Sequence, residues 1–187
     1  GAIQINNGTV TIARSNNRVS EISFNTTTRN GGAIYVSNGN LILNKNTIIA
    51  RNNAGKEGGA IYVNSDADNI EIKGIFTGNF AKEEGGAIYV NSTVSGDNGV
   101  KISDAEFLGN RAYNNGGAIY VDADNNISLS GKVIANGNTP NNLYIQNQSA
   151  IFSNTLESGS KVGITTSWKA TSTNPINTTN HNCFVSD

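Results

Sequence analysis

The chain of 187 residues contains no methionine and a single cysteine, Cys183, and only 14% of its residues are charged. One cysteine forms no internal disulfide, so cysteine usage leaves the redox compartment open. The formal net charge of −1 is spread without a basic face, which excludes an electrostatic footprint for nucleic acid. Neither a long apolar run nor a polybasic segment is present, so direct membrane insertion of this chain is not expected. Amphipathic helical patterning is also missing between the apolar clusters. The lack of methionine, and an opening Gly1-Ala2-Ile3 that repeats the tail of a later motif, point to a segment of a longer protein. The missing signal peptide or anchor therefore carries no weight on location.

What the chain does have is asparagine in abundance, with much glycine, serine and threonine. Polar, weakly charged compositions often mark disorder, but here the apolar residues recur in register. The string Gly-Gly-Ala-Ile-Tyr-Val occurs four times, its second glycine at Gly32, Gly59, Gly86 and Gly117, at intervals of 27 or 31 residues. Gly1-Ala2-Ile3-Gln4-Ile5 is an earlier partial copy, and Asn141-Asn142-Leu143-Tyr144-Ile145 a later one in which asparagine stands for glycine as the side chain that best tolerates a left-handed backbone.

Each unit holds three apolar clusters. After the Ala-Ile-Tyr-Val segment comes an alternating pair: Val10/Ile12, Leu41/Leu43, Ile70/Ile72, Val100/Ile102 and Ile127/Leu129. The third cluster is an apolar residue three before an asparagine: Ile22 with Asn25, Ile49 with Asn52, Phe76 with Asn79, Phe107 with Asn110, and Val133 with Asn136. Period-two alternation rich in β-branched and aromatic residues predicts strands. Three short strands per repeat predict an all-β, right-handed parallel β-helix of three sheets and about six coils, spanning residues 1–168, with residues 169–187 an irregular tail or a cap. A propeller blade needs four strands and about 40 residues. In such a coil Ile34, Ile61, Ile88 and Ile119 point inward with the valines two residues on. The alanines and tyrosines point outward, the glycine pairs supply positive φ at a corner, and Asn25, Asn52, Asn79, Asn110 and Asn136 form a ladder that satisfies corner backbone groups.

The pairing of Gly-Gly-Ala-Ile with Phe-x-x-Asn, seen in Phe76-Thr77-Gly78-Asn79 and Phe107-Leu108-Gly109-Asn110, resembles the repeat of the chlamydial polymorphic membrane proteins. The resemblance spans roughly residues 1–136. It departs where Ile22, Ile49 and Val133 replace phenylalanine and where the last copy has lost its glycines. It implies a β-helix and an extracellular, adhesin-like passenger on a bacterial surface; it brings no active site and no ligand.

Candidate sites are weighed beside their structural readings. Tyr35, Tyr62, Tyr89, Tyr120 and Tyr144 form the binding candidate, an aromatic stripe on one sheet that is also explained by cross-strand stabilisation. Asp66-Ala67-Asp68-Asn69 and Asp122-Ala123-Asp124-Asn125 carry oxygen ligands but lack the glycine and distal glutamate of a calcium loop, and Thr93 and Ser95 stand on the coil between them; they read as solvated turns. Glu71 and Lys101 occupy matching positions suited to a surface pair. Glu83-Glu84 is a carboxylate pair in a corner loop, where neighbours do not flank a substrate. His181 and Cys183 lie together in the tail with no supporting motif. Asn-x-Ser/Thr sequons, as at Asn7 and Asn91, follow from the composition. No catalytic residue, metal or cofactor is expected. The sequence reads as a non-enzymatic, cell-surface or secreted passenger segment whose partner is a protein or glycoprotein on a host or neighbouring cell. A pectin-lyase-like carbohydrate-active enzyme and a pure spacer are the alternatives, and fold alone does not choose among them.

Overall fold

A computed structural model describes residues 1–14, 18–91, 99–122, 127–146, 151–167 and 184–186. All described secondary structure is β, and every strand pairing is parallel. The chain winds as a β-solenoid of about five turns. Parallel pairing of consecutive repeats, with no helix between them, requires each coil to close on itself and stack on the last.

One wall carries the Gly-Gly-Ala-Ile-Tyr-Val segments. Ile3 pairs with Ile34, Ile34 with Ile61, Ile61 with Ile88, Ile88 with Ile119, and Ile119 with Leu143. The second wall aligns Val10, Leu41, Ile70, Val100, Ile127 and Ile151. The third aligns Ile22, Ile49, Phe76, Phe107 and Ala135. The expected three clusters thus become three walls, but they are not three separate sheets. The strands Ile34–Leu43 and Ile61–Thr77 run through the bends, joining the walls into one 14-stranded sheet. A short four-stranded sheet follows the asparagine corner: Thr26–Thr27, Asn53–Ala54, Phe80–Ala81 and Arg111–Ala112.

The core is the tube between the walls, filled by Ile34, Val36, Leu41, Ile49, Phe76 and their equivalents. Phe76 and Phe107 stack at 4.9 Å. Ala33, Ala60, Ala87 and Ala118, expected to face out, are fully buried in this core. They precede the regular strand, at the bend, where the period-two rule does not yet hold.

The asparagine ladder forms with one correction. The amide groups of Asn25, Asn52 and Asn79, backbone N–H and Nδ2 alike, donate to the Oδ1 of the asparagine one coil on, at 2.9–3.0 Å. Asn110 donates in the same way to Asn138, not to Asn136, which is exposed. The last coil has an extra residue in the bend, so Ala105 faces Val133 and Phe107 faces Ala135. The glycine pairs also act differently from expectation. The first of each pair has positive φ (Gly85, 66°), whereas the second does not; a Cβ on Gly86 would lie 2.2 Å from the Gly117 carbonyl oxygen. Asn141 and Asn142 have no positive φ either. Asn141 instead accepts the Gly116 N–H through its side chain, and Asn142 ends the ladder by accepting Asn138 Nδ2 at 2.8 Å.

Of the expected tail, Phe184–Ser186 adds a parallel strand against Val162–Thr166.

Candidate functional site

The tyrosines come into register because each follows a core aliphatic residue by one, isoleucine in four coils and Leu143 in the last: Tyr35 aligns with Tyr62, then Tyr89, Tyr120 and Tyr144. They occupy the outer side of the wall and form an aromatic cluster distinct from the core. Successive centroids are 5.1, 5.2, 5.1 and 5.4 Å apart, with ring planes within 12° of parallel. Rungs about 4.8 Å apart set this spacing. Each ring therefore covers the faces of its neighbours. Tyr62, Tyr89 and Tyr120 are only 5–7% exposed, while Tyr35 and Tyr144, at the ends, are half-buried.

Burial perturbs the phenols. Desolvation, helped by the nearby Glu57 charge, pushes Tyr62 up to about 12. Tyr89 and Tyr120 are also raised, first by desolvation and then by acidic neighbours. The Tyr89 hydroxyl donates to Asp122 Oδ2 at 3.2 Å.

Beside the stripe runs the corner loop that precedes each glycine pair. Backbone bonds stack Glu83 on Lys56, and Lys56 on Arg29. Glu57 joins Glu83 and Glu84, with carboxylate oxygens of all three within 4.8 Å of one another. Coil stacking thus adds a third acid, distant in sequence, to the Glu83-Glu84 pair. Asn30 Nδ2 donates to Glu57 Oε2 at 2.9 Å, and Asn114 Nδ2 to Glu84 Oε1 at 3.0 Å. Burial first, then Glu83 and Glu84, raise the Glu57 carboxyl above its ordinary range. The three groups share one partly buried corner and do not flank a groove as a glycosidase pair does.

The other candidates separate. Glu71 and Lys101 are register partners as expected, yet form no ion pair; Glu71 accepts from Asn69 Nδ2 at 3.2 Å. Asp66 and Asp68 are exposed in the continuous strand Ile61–Thr77. Thr93, Ser95, Asp124, Asn125, His181 and Cys183 lie outside the described residues.

Sequence reasoning missed two arginine–aromatic clusters. Phe24 and Arg51 hold left-handed backbone, at φ 58° and 54°, where the later coils place Gly78, Gly109 and Gly137. The Arg51 guanidinium lies 5.3 Å from the Phe24 ring centre, and Arg111 lies over Phe80 and Tyr113 at 5.8 and 5.9 Å. Phe24 and Tyr113 are each 68% exposed. For Phe24 and Arg51 the available signal was the residue before each ladder asparagine, which is glycine in the three later coils and not in these two.

Comparison with known families matches the Chlamydia polymorphic membrane protein repeat twice, at residues 73–91 and 104–122. The chain thus carries this repeat in two successive coils, each match running from the third wall through the asparagine corner to the tyrosine wall. No curated protein and no solved structure matches the chain.

Proposed function

We propose that this chain is a stretch of a surface-exposed, adhesin-like passenger: a non-enzymatic rod that presents a contact face to a protein or glycoprotein of a host or neighbouring cell. The observation that carries this reading is the double match to the polymorphic membrane protein repeat on consecutive, in-register coils of a β-solenoid. Such a rod holds side chains on fixed outer rows, and aromatic residues with a polar tip are favoured at protein contacts.

The contact face proposed is the tyrosine wall. Stacking removes the ring faces of Tyr62, Tyr89 and Tyr120 from reach, so contact there runs through hydroxyls and ring edges, with more of Tyr35 and Tyr144 available at the ends. That same burial favours a second reading, a spacer whose tyrosines only hold coils together.

The surface part of the reading is tested by raising antibody against the folded chain and labelling cells of the source organism before and after permeabilisation. Labelling of intact cells is expected. Labelling that appears only after permeabilisation overturns it.

A further inference from the structure

Another outward cluster lies on the short sheet that follows the asparagine corner. Phe80 and Arg111 are register partners there, and Tyr113 follows the buried Ala112 on the same outer side. The Arg111 guanidinium lies 5.8 Å from the Phe80 ring centre and 5.9 Å from that of Tyr113, and the two rings meet edge to face at 6.4 Å. Each side chain thus holds the other two in place. Asn53 and Thr139 provide the rungs on either side of the pair, so the exposure of Arg111 and Tyr113 belongs to the middle of the stack of coils.

The charge of this face is the second observation. Its outward rows run from Phe24 to Gly137, from Thr26 to Thr139 and from Thr28 to Tyr113, and none of them contains an aspartate or a glutamate. They do contain Arg51, Lys82 and Arg111, all exposed, and none of the three makes an ion pair or a side-chain hydrogen bond among the described residues. Arg51 holds a left-handed φ of 54° in a row whose next three rungs are Gly78, Gly109 and Gly137. Strain kept where glycine would relieve it points to a use for the side chain.

We infer that this face docks an acidic segment of a partner protein, a stretch of chain that sets carboxylates among apolar side chains. The site is separate from the tyrosine wall and does not rest on the adhesin-like reading. The Arg111 guanidinium, held against two rings, is preorganised to take a carboxylate in bidentate fashion. Phe80 and Tyr113 add apolar area around it, and arginine with aromatic residues is the composition that concentrates binding energy at protein contacts. Three cations on acid-free rows call for a complementary anion. The extent of the charge selects a protein segment over a uniformly charged polymer. Glu83 and Glu84 follow Lys82 directly and share their corner with Glu57, so a long polyanion would run from the cations onto three carboxylates. A mixed segment can place its acids on the cations and its apolar residues on the rings.

The test pans random peptides displayed on phage against the folded chain and measures the enriched peptides, in soluble form, by fluorescence anisotropy. Enriched peptides are expected to combine acidic with aromatic or aliphatic residues and to bind more weakly as salt rises. Arg111→Gln is expected to weaken their binding about tenfold or more, and Lys82→Gln and Tyr113→Ala to weaken it several-fold, whereas Tyr62→Phe on the tyrosine wall leaves it unchanged. The Arg111 and Lys82 side chains are exposed, so both variants are expected to keep the parent Tm, which separates lost contact from lost fold. No enrichment, enrichment of peptides without acidic residues, or full binding by the Arg111→Gln chain overturns the inference. So does a heparin oligosaccharide that binds as tightly as the peptides and is lost with the same residues, since that assigns the face to an acidic polysaccharide. Each of these failures leaves the surface-passenger reading standing, because labelling of intact cells decides that separately.

Discussion

At the scale of single residues, the repeat motif encodes backbone geometry more than chemistry. Gly85 and Gly86 look equivalent in sequence but answer different demands. Gly85 supplies a left-handed φ, and Gly86 lets the backbones of neighbouring coils touch. Gly109 offers a clean contrast, having positive φ and open space around its would-be Cβ. Gly109→Ala is expected to cost roughly 1–2 kcal/mol, the penalty of a Cβ in that conformation. Gly86→Ala meets only backbone atoms and is expected to cost more than Gly109→Ala, on the scale of severe overpacking, about 3 kcal/mol. Urea unfolding of both variants checks the order, and equal midpoints would refute it. Asn79 is buried and accepts both amide groups of Asn52. Asn79→Ala strands those buried donors at a cost of about 1–3 kcal/mol each, read in the same experiment. The phenols give a pH signature. A folded-state value raised above the unfolded one, about 10, adds stability that is complete below pH 10 and is lost as pH rises through the folded value, about 12 for Tyr62. Unfolding is therefore expected to set in above pH 10, alongside tyrosinate absorbance. The triple variant Tyr62→Phe, Tyr89→Phe, Tyr120→Phe is expected to remove most of that sensitivity.

At the scale of elements, the strands were legible because their alternation repeats at fixed offsets, and the walls follow from it. Three details were not. The placement of Asn136 in the ladder failed because two asparagines stand in Ala135-Asn136-Gly137-Asn138, and the extra bend residue shifts the register. Only the glycine before Asn138, matching Gly78-Asn79 and Gly109-Asn110, distinguishes the right one. The alanines were assigned outward by extending period two into a bend. The acid Glu57 was not placed beside Glu83-Glu84 because the contact runs between coils, 26 residues away in sequence. That corner carries its own prediction. The Glu57 carboxyl is raised by burial and by like charges, so its ionisation opposes folding, and its favourable contribution is lost as pH rises through its folded value. Glu57→Gln keeps an acceptor for Asn30 and is expected to raise the Tm at pH 7 and leave it unchanged near pH 3. A lower Tm at pH 7 would show that the charge stabilises the corner.

At the scale of the whole molecule, each coil touches only its neighbours, so stability accumulates rung by rung. The outer rows are then free to differ from coil to coil while the inner rows stay alike. The candidate site was legible to the same degree. The tyrosine stripe and its spacing follow from the repeat, but the burial of its middle members follows from ring stacking and the neighbouring corner loop. Adhesion by such a rod is a property of outer rows in the folded state. It is tested most directly by coating beads with the folded chain and counting those retained on a host-cell layer under flow, against bare beads and beads carrying the heat-unfolded chain. The account expects saturable retention that soluble folded chain competes away and the unfolded chain does not reproduce. Retention no greater than that of bare beads would contradict it and leave the chain a spacer.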